Sequence, residues 1–211
     1  MALFQKKQET SSAAPLYTLG AGRTVLIIGL GNPGKKYEGS RHNIGFEVID
    51  HFAKQNEFPE WTVKKDLKCL FSVKNLGDNH VILCKPATFM NLSGEAAQAV
   101  QRFYRVYNKN TLALYDELSI NFGQLRTRGG GADAGHNGVK SLIQHLGEDF
   151  GRLRVGVGPL PSAKTDPAAY VLGKFSKDEQ KNLPLIIQEA GALITEYIFS
   201  AVLLPDTRSV L

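Results

Sequence analysis

The stretch that decides the fold is TVLIIGL, Thr24–Leu30, which runs directly into Gly31-Asn32-Pro33-Gly34. A short aliphatic, β-branched run closed by glycine predicts a strand buried on both faces. Such a strand belongs inside a sheet covered by helices, because each of its faces needs an apolar partner. Outward from it, Asn43–Lys54 places Ile44, Val48, Ile49 and Phe52 on one helical face. Leu67–Val73 and His80–Cys84 read as strands joined by a turn at Asn75–Asn79, and Gly94–Tyr107 as an amphipathic helix. Thr111–Tyr115 and Arg152–Val157 are further strands, with a helix over Val139–Leu146 between them. Pro159–Lys174 is loop-rich, and Lys177–Leu203 holds one or two closing helices. The alternation predicts an α/β fold: one domain over residues 23–211, with a mixed, mostly parallel twisted sheet flanked by helices on both faces. Residues 1–22, mixing Gln, Lys, Ser, Ala and Gly without periodicity, predict a flexible leader.

Composition narrows the class. The chain has 211 residues, 25 basic and 20 acidic, a formal net charge of +5, and 43% hydrophobic residues. That is too apolar for a disordered chain and suits a single core. Two cysteines, Cys69 and Cys84, exclude a disulfide scaffold and point to a reducing, cytoplasmic setting. No apolar run reaches the roughly 18 residues of a membrane span, so no membrane partner is expected. The basic residues Arg126, Arg128, Lys140, Arg152 and Arg154 cluster in sequence, offset by Asp133, Glu148 and Asp149. A solvated face explains such a cluster as readily as a polyanion partner does.

Gly29-Leu30-Gly31-Asn32-Pro33-Gly34 matches the dinucleotide fingerprint G-x-G-x-x-G, and Asp50 stands about twenty residues on, where a ribose-binding acid belongs. That site requires a helix beginning within the glycines, so that its amides hold pyrophosphate. The residues after Gly34 carry no apolar stripe, and the next helix starts near Asn43, which puts Asp50 inside it. No nucleotide cofactor is therefore expected. The loop instead offers polar side chains at the end of a buried strand, where α/β sheets place ligands: Asn32, then Tyr37, Arg41, His42 and Asn43. Taken singly, Asn32 is ordinary turn chemistry and His42 an ordinary surface histidine.

Three further polar clusters follow predicted strands or precede helices. In Lys85–Gly94, Ser93 is placed to cap the next helix, while Asn91 has only turn propensity to explain it. Tyr115-Asp116-Glu117-Leu118 follows a strand end; its adjacent carboxylates point to opposite sides, which suits one of them to orienting a histidine. Arg128–Gly138 is glycine-rich ahead of a helix, a backbone concavity suited to phosphate, but without the lysine and hydroxyl of a nucleotide P-loop. Metal binding finds no support in spacing: His42 and His51, and His136 and His145, are nine apart, with no HxxxH or CxxC. No serine sits in a G-x-S-x-G elbow, and both cysteines fall in predicted strands. One histidine, one carboxylate and several asparagines at strand ends suit water activation at an ester or amide.

GLGNPGKKYEGSRHNIGFEVID, KPATFMNLSG, LYDELS, GHNGVKSLIQHLG and FGRLRVGVG occur in the order found in bacterial-type peptidyl-tRNA hydrolases, which this chain resembles from about Leu26 to Phe175. The resemblance implies a monomeric α/β enzyme, without cofactor or metal, that cleaves the ester between peptide and tRNA and so returns tRNA to translation. Carried over by position, it implies His42 as catalytic base and Asp116 as its carboxylate partner. It places Asn32, Asn91 and Asn137 along the substrate channel and Tyr37 and Met90 beside the scissile bond. Arg126, Lys140 and Arg154 fall where the family meets tRNA phosphates. Either Asn32 or Asn91 is suited to donate to the oxyanion. Ser119 stands where the family commonly has an aspartate, and Asp133 adds negative charge to a loop that is usually neutral. Relatives that serve as intron-splicing cofactors keep open a second reading, a non-catalytic RNA-binding paralogue.

Overall fold

In the computed structural model, residues 22–200 and 202–211 are described. The expected leader lies, apart from its last residue, outside them. Eight strands form one sheet: β1 (Thr24–Gly29), β2 (Thr62–Lys64), β3 (Cys69–Leu76), β4 (Asn79–Pro86), β5 (Thr111–Asn121), β6 (Gln124–Gly129), β7 (Gly151–Gly158) and β8 (Asp206–Ser209). The helices are α1 (Ile44–Gln55), α2 (Ser93–Tyr104), α3 (Asn137–Leu146), α4 (Pro167–Leu172) and α5 (Lys177–Ser200). Strand order is β2-β3-β4-β1-β5-β7-β6-β8.

The sheet is mixed and covered on both faces, as expected, but parallel pairing is confined to its centre. The pairings β4–β1, β1–β5 and β5–β7 are parallel, whereas β2–β3, β3–β4, β6–β7 and β6–β8 are antiparallel. Parallel neighbours need long crossovers, and α1, α2 and α3 lie in those between the central strands; at one edge β2, β3 and β4 are joined by short turns, while at the other β6–β7 and β6–β8 pair antiparallel although helices lie between them in sequence. β1 is the test of the opening stretch. Val25 and Ile27 enter the core formed with α1 and α5, while Leu26 and Ile28 enter the core formed with α2, and all four are fully buried.

The glycines after β1 serve packing. A Cβ on Gly29 would lie 2.4 Å from the carbonyl oxygen of Gly45, and one on Gly45 would lie 2.4 Å from that of Leu114. The start of α1 thus rests directly on the sheet, and no helix begins among Gly29–Gly34. Asp50 lies inside α1 and pairs with Lys85 at 2.5 Å, which leaves nothing of the dinucleotide site.

Several element expectations shift. β5 runs on to Asn121, with a register irregularity between Glu117 and Asn121, so Asp116 and Glu117 lie within the strand. The Pro159–Lys174 stretch contains α4, and the closing segment is the single helix α5 with Pro184 in its early turns. β2, β6 and β8 carry no apolar run and gave no sequence signal; their pairing comes from backbone hydrogen bonds to a neighbour already in place. Ser93 does not cap α2: Leu92 holds the cap position, and the Ser93 hydroxyl is buried without a partner.

Candidate active site

The parallel centre delivers three chain segments to one end of the sheet. β1 leads to Asn32, β4 to the turn Met90–Leu92, and β5 carries Asp116. The turn Arg41–Asn43, just before α1, brings His42, and the start of α3 brings His136 and Asn137. They surround a cleft of about 830 Å³ lined by Asn32, His42, Met90, Asn91, Asp116, Glu117, His136, Asn137 and the α4 segment, among others.

Asp116 is the hub. It is 3% exposed, and its Oδ1 receives two imidazoles, His42 Nδ1 at 2.8 Å and His136 Nε2 at 3.0 Å. The tautomer of His136 follows from its surroundings. Its Nδ1 accepts from the backbone N–H groups of Gly138 at 3.1 Å and Val139 at 3.3 Å, capping α3, so its Nε2 carries the hydrogen given to Asp116. Burial pushes the Asp116 carboxyl upward, but His136, through the positive charge it takes on when protonated in acid and through its hydrogen bond, and then His42 in the same two ways, outweigh it and hold the group well below the ordinary carboxylate range, so it is ionised where both rings are neutral. An ionised Asp116 accepts from His42 Nδ1–H, which leaves His42 Nε2 with a lone pair.

His42, Asp116 and His136 have donor atoms within 4.8 Å of one another, close enough to suggest a metal centre. The chemistry of the donors opposes it. With Nδ1 of His136 engaged by two amides and Nε2 protonated, that ring has no lone pair for a cation.

Asn32 is held just as firmly. Its Oδ1 accepts from Met90 N–H at 2.8 Å, and its own backbone exchanges two 2.9 Å bonds with the Asn43 side chain. The amide orientation is thereby set, and Nδ2 is the group left to donate in the cleft. Asn91 and Asn137 line the same cleft from exposed positions. Met90 is buried there, its sulfur 2.4 Å from where a Cβ on Gly138 would stand, so the glycine after Asn137 makes room for it. Tyr37 is not brought into the lining; its ring meets Phe89 edge-on at 6.5 Å. Ser119 donates its N–H and hydroxyl to Glu117 Oε1, and Asp133 accepts from Gly135 N–H within its own loop.

The basic residues divide. Arg126 lies directly across from Arg154, and Arg128 from Arg152, on the antiparallel pair β6–β7. Arg152 is 1% exposed and is spent on structure, its guanidinium donating to the Gly131 and Ala132 carbonyls of the glycine loop. Burial, with the charges of Arg128 and Arg126, pulls Arg154 below the ordinary arginine value, against Tyr115 and Glu117. No acid pairs with Arg126 or Arg154 among the described residues, and the Nε of each is buried without a partner. Lys140 stands apart from this ledge, exposed on α3 one turn beyond His136.

Sequence reasoning missed His136. It lies in the GHNG motif three residues before the helix predicted over Val139–Leu146, and one before the observed α3; a side chain able to cap ahead of a helix was the available signal.

Fold and site together define an α/β protein with a carboxylate-oriented imidazole at the end of a mixed sheet. A family model described as peptidyl-tRNA hydrolase matches residues 26–203, which takes in α5 as well as the motif-bearing region. A peptidyl-tRNA hydrolase of Clostridium botulinum strain Alaska E43 is 45% identical over 174 residues, 82% of this chain and 88% of the relative. One of Corynebacterium efficiens is 43% identical over 175 residues, 82% of this chain and 96% of the relative. The crystal structure of peptidyl-tRNA hydrolase from Acinetobacter baumannii superposes with a TM-score of 0.78 at 32% identity, covering 83% of this chain and 89% of that one. The chain belongs to the peptidyl-tRNA hydrolase family.

Proposed function

We propose that this chain hydrolyses the ester joining a peptide to the 3′ end of tRNA, with His42 as the base. Nε2 of His42 takes a proton from water as the oxygen attacks the ester carbonyl. Ionised Asp116 keeps the ring in the Nδ1–H tautomer and stabilises the imidazolium that forms. Asn32 Nδ2 donates to the oxyanion, a contribution of about 2.7–4 kcal/mol where such a donor has been removed elsewhere. Collapse breaks the bond to the ribose oxygen, which takes from His42 the proton that came from water, and the new carboxylic acid loses its own to solvent. Free tRNA and a peptide with a new carboxylate leave.

The observation that carries this reading is the double hydrogen bond on Asp116 Oδ1, with His42 left open on the cleft. Asn91, Asn137 and Met90 would hold the peptide, with Tyr37 outside the lining as a rim contact. Arg126, Arg154 and Lys140 would meet tRNA phosphates, contacts that position without reading sequence. The reading carries with it a monomer acting in the cytoplasm, where translation releases its substrate. Among the described residues, no helix is long and apolar enough to cross a membrane. The splicing-cofactor alternative requires none of this polar network, and the relatives are named as hydrolases. The test is incubation with N-acetylated aminoacyl-tRNA, scoring free tRNA. Release that disappears in His42→Ala supports the reading; tight RNA binding without release overturns it.

A further inference from the structure

We propose that Arg41 is a positioning residue that sets the α4 wall of the cleft against His42, and so selects acyl groups bearing an apolar side chain next to the ester. The inference rests on the hydrolase reading above and adds to it the substrate class that the cleft favours.

α4 has six residues, too short to be stable by itself. It is tied down from outside. The guanidinium of Arg41, one residue before the base, lies over the Tyr170 ring at 4.1 Å and near that of Phe175 at 5.3 Å. Its Nη1 donates to the Lys174 carbonyl at 2.8 Å, and its Nη2 to Glu179 Oε2 at 2.7 Å. The Arg41 backbone N–H donates to the Gly173 carbonyl at 3.0 Å, and Ser40 bridges to Lys174. Glu179 is itself fixed at the start of α5: its Oε2 accepts from Ser176 N–H at 2.6 Å, while its own N–H donates to Ser176 Oγ at 3.2 Å. On the far side, the Tyr170 hydroxyl donates to the Val157 carbonyl at 2.9 Å.

Arg41 is 7% exposed and absent from the cleft lining, so its charge is not offered to the substrate. What it holds in place is. Pro167, Ala168, Val171 and Leu172 of α4 form an apolar wall facing the cleft that contains His42, Met90 and Leu118. Leu172 is 44% exposed, which is apolar area available to a ligand. An acyl side chain lying there gains by burial only while the wall keeps its distance from the reacting carbonyl.

The experiment measures kcat and KM for the full chain and its Arg41→Met and Arg41→Lys variants, on N-acetyl-leucyl-tRNA and N-acetyl-glycyl-tRNA. The expected wild-type KM is about tenfold lower for the leucyl substrate, the order of discrimination a small apolar group provides. Arg41→Met is expected to erase most of that ratio by raising the leucyl KM, with kcat on either substrate moving by no more than about twofold. Arg41→Lys, which keeps the ion pair to Glu179, is expected to restore part of it. Tyr170→Leu removes the ring under the guanidinium from a half-exposed position and is expected to give the same split should Arg41→Met fail to fold. Equal losses on both substrates, a fall in kcat at unchanged KM, or a wild type without leucyl preference would each overturn the proposal. Absence of tRNA release by the wild type on either substrate would instead overturn the hydrolase reading.

Discussion

Asp116 and the β6–β7 ledge are both charged, yet they are built on opposite terms. Around Asp116 each donor has its acceptor: two imidazoles on one carboxylate oxygen, one of them locked in its tautomer by two helix amides. On the ledge, arginine stands across from arginine, and among the described residues neither Arg126 nor Arg154 forms an ion pair, Glu117 acting on Arg154 only from a distance. Like charges directly opposite on a ladder cost stability. The closed network is complete before substrate arrives, as a site that must not reorganise during reaction needs to be. The open one has room for a counter-charge from outside, the place the proposed function gives to tRNA phosphates.

The contrast is sharpest at His42. Its replacement by Ala is expected to lower kcat/KM by about 10⁴-fold, the upper range for a general base, with tRNA affinity intact; a surviving rate within tenfold of wild type would remove it as base. Asp116→Asn is expected to cost about 10³-fold, since the tautomer is no longer set. It also carries a pH signature. Asp116 titrates below its unfolded value, so the stability it confers is present above about pH 4 and fades as pH falls toward the depressed folded value. The stability gap between wild type and Asp116→Asn should therefore narrow in acid, as read by denaturant titration. A gap constant from pH 7 to pH 3 would deny the depressed titration.

His136→Ala tests whether the second imidazole belongs to the network or only to the helix. It removes one hydrogen bond to a charged group, and the expected loss in kcat is about tenfold. Loss of the α3 cap adds about 1 kcal/mol of destabilisation, measurable by thermal unfolding. A stability loss with unchanged kcat would leave His136 as a cap alone. On the ledge, Arg126→Ala with Arg154→Ala is expected to weaken tRNA binding and reduce the slope of log affinity against log salt by about 1.5. Lys140→Ala, separate from the ledge, should shift that slope by less than about 1. Slopes that do not move would take these residues out of the phosphate path.

How far the sequence reaches differs between the two regions. His42 and Asp116 were legible as a pair through the family motifs, since taken singly His42 read as a surface histidine; the turn before α1 and the long central strand β5 bring them together. His136 was not, because a histidine ahead of a helix has many uses and its partner is 20 positions away. Asn32 was visible as a polar residue after β1, but the direction of its amide depends on Met90, 58 positions on. Arg152 read only as one more member of a basic, solvated cluster and is instead buried under the glycine loop. Tyr37 carried a family position and lies beside Phe89, outside the cleft lining.

What the residues determined unaided was local: the doubly buried β1, the helical faces of α1 and α2, the glycines that could not hold a pyrophosphate. Aliphatic periodicity and backbone chirality act over a few neighbours, so a linear reading recovers them. The antiparallel edges, the capping imidazole, the orientation of Asn32 and the division of the arginines were decided by the folded chain. Each depends on a hydrogen bond or a buried charge whose partner lies elsewhere in sequence, and such groups are satisfied only when the whole sheet closes around them.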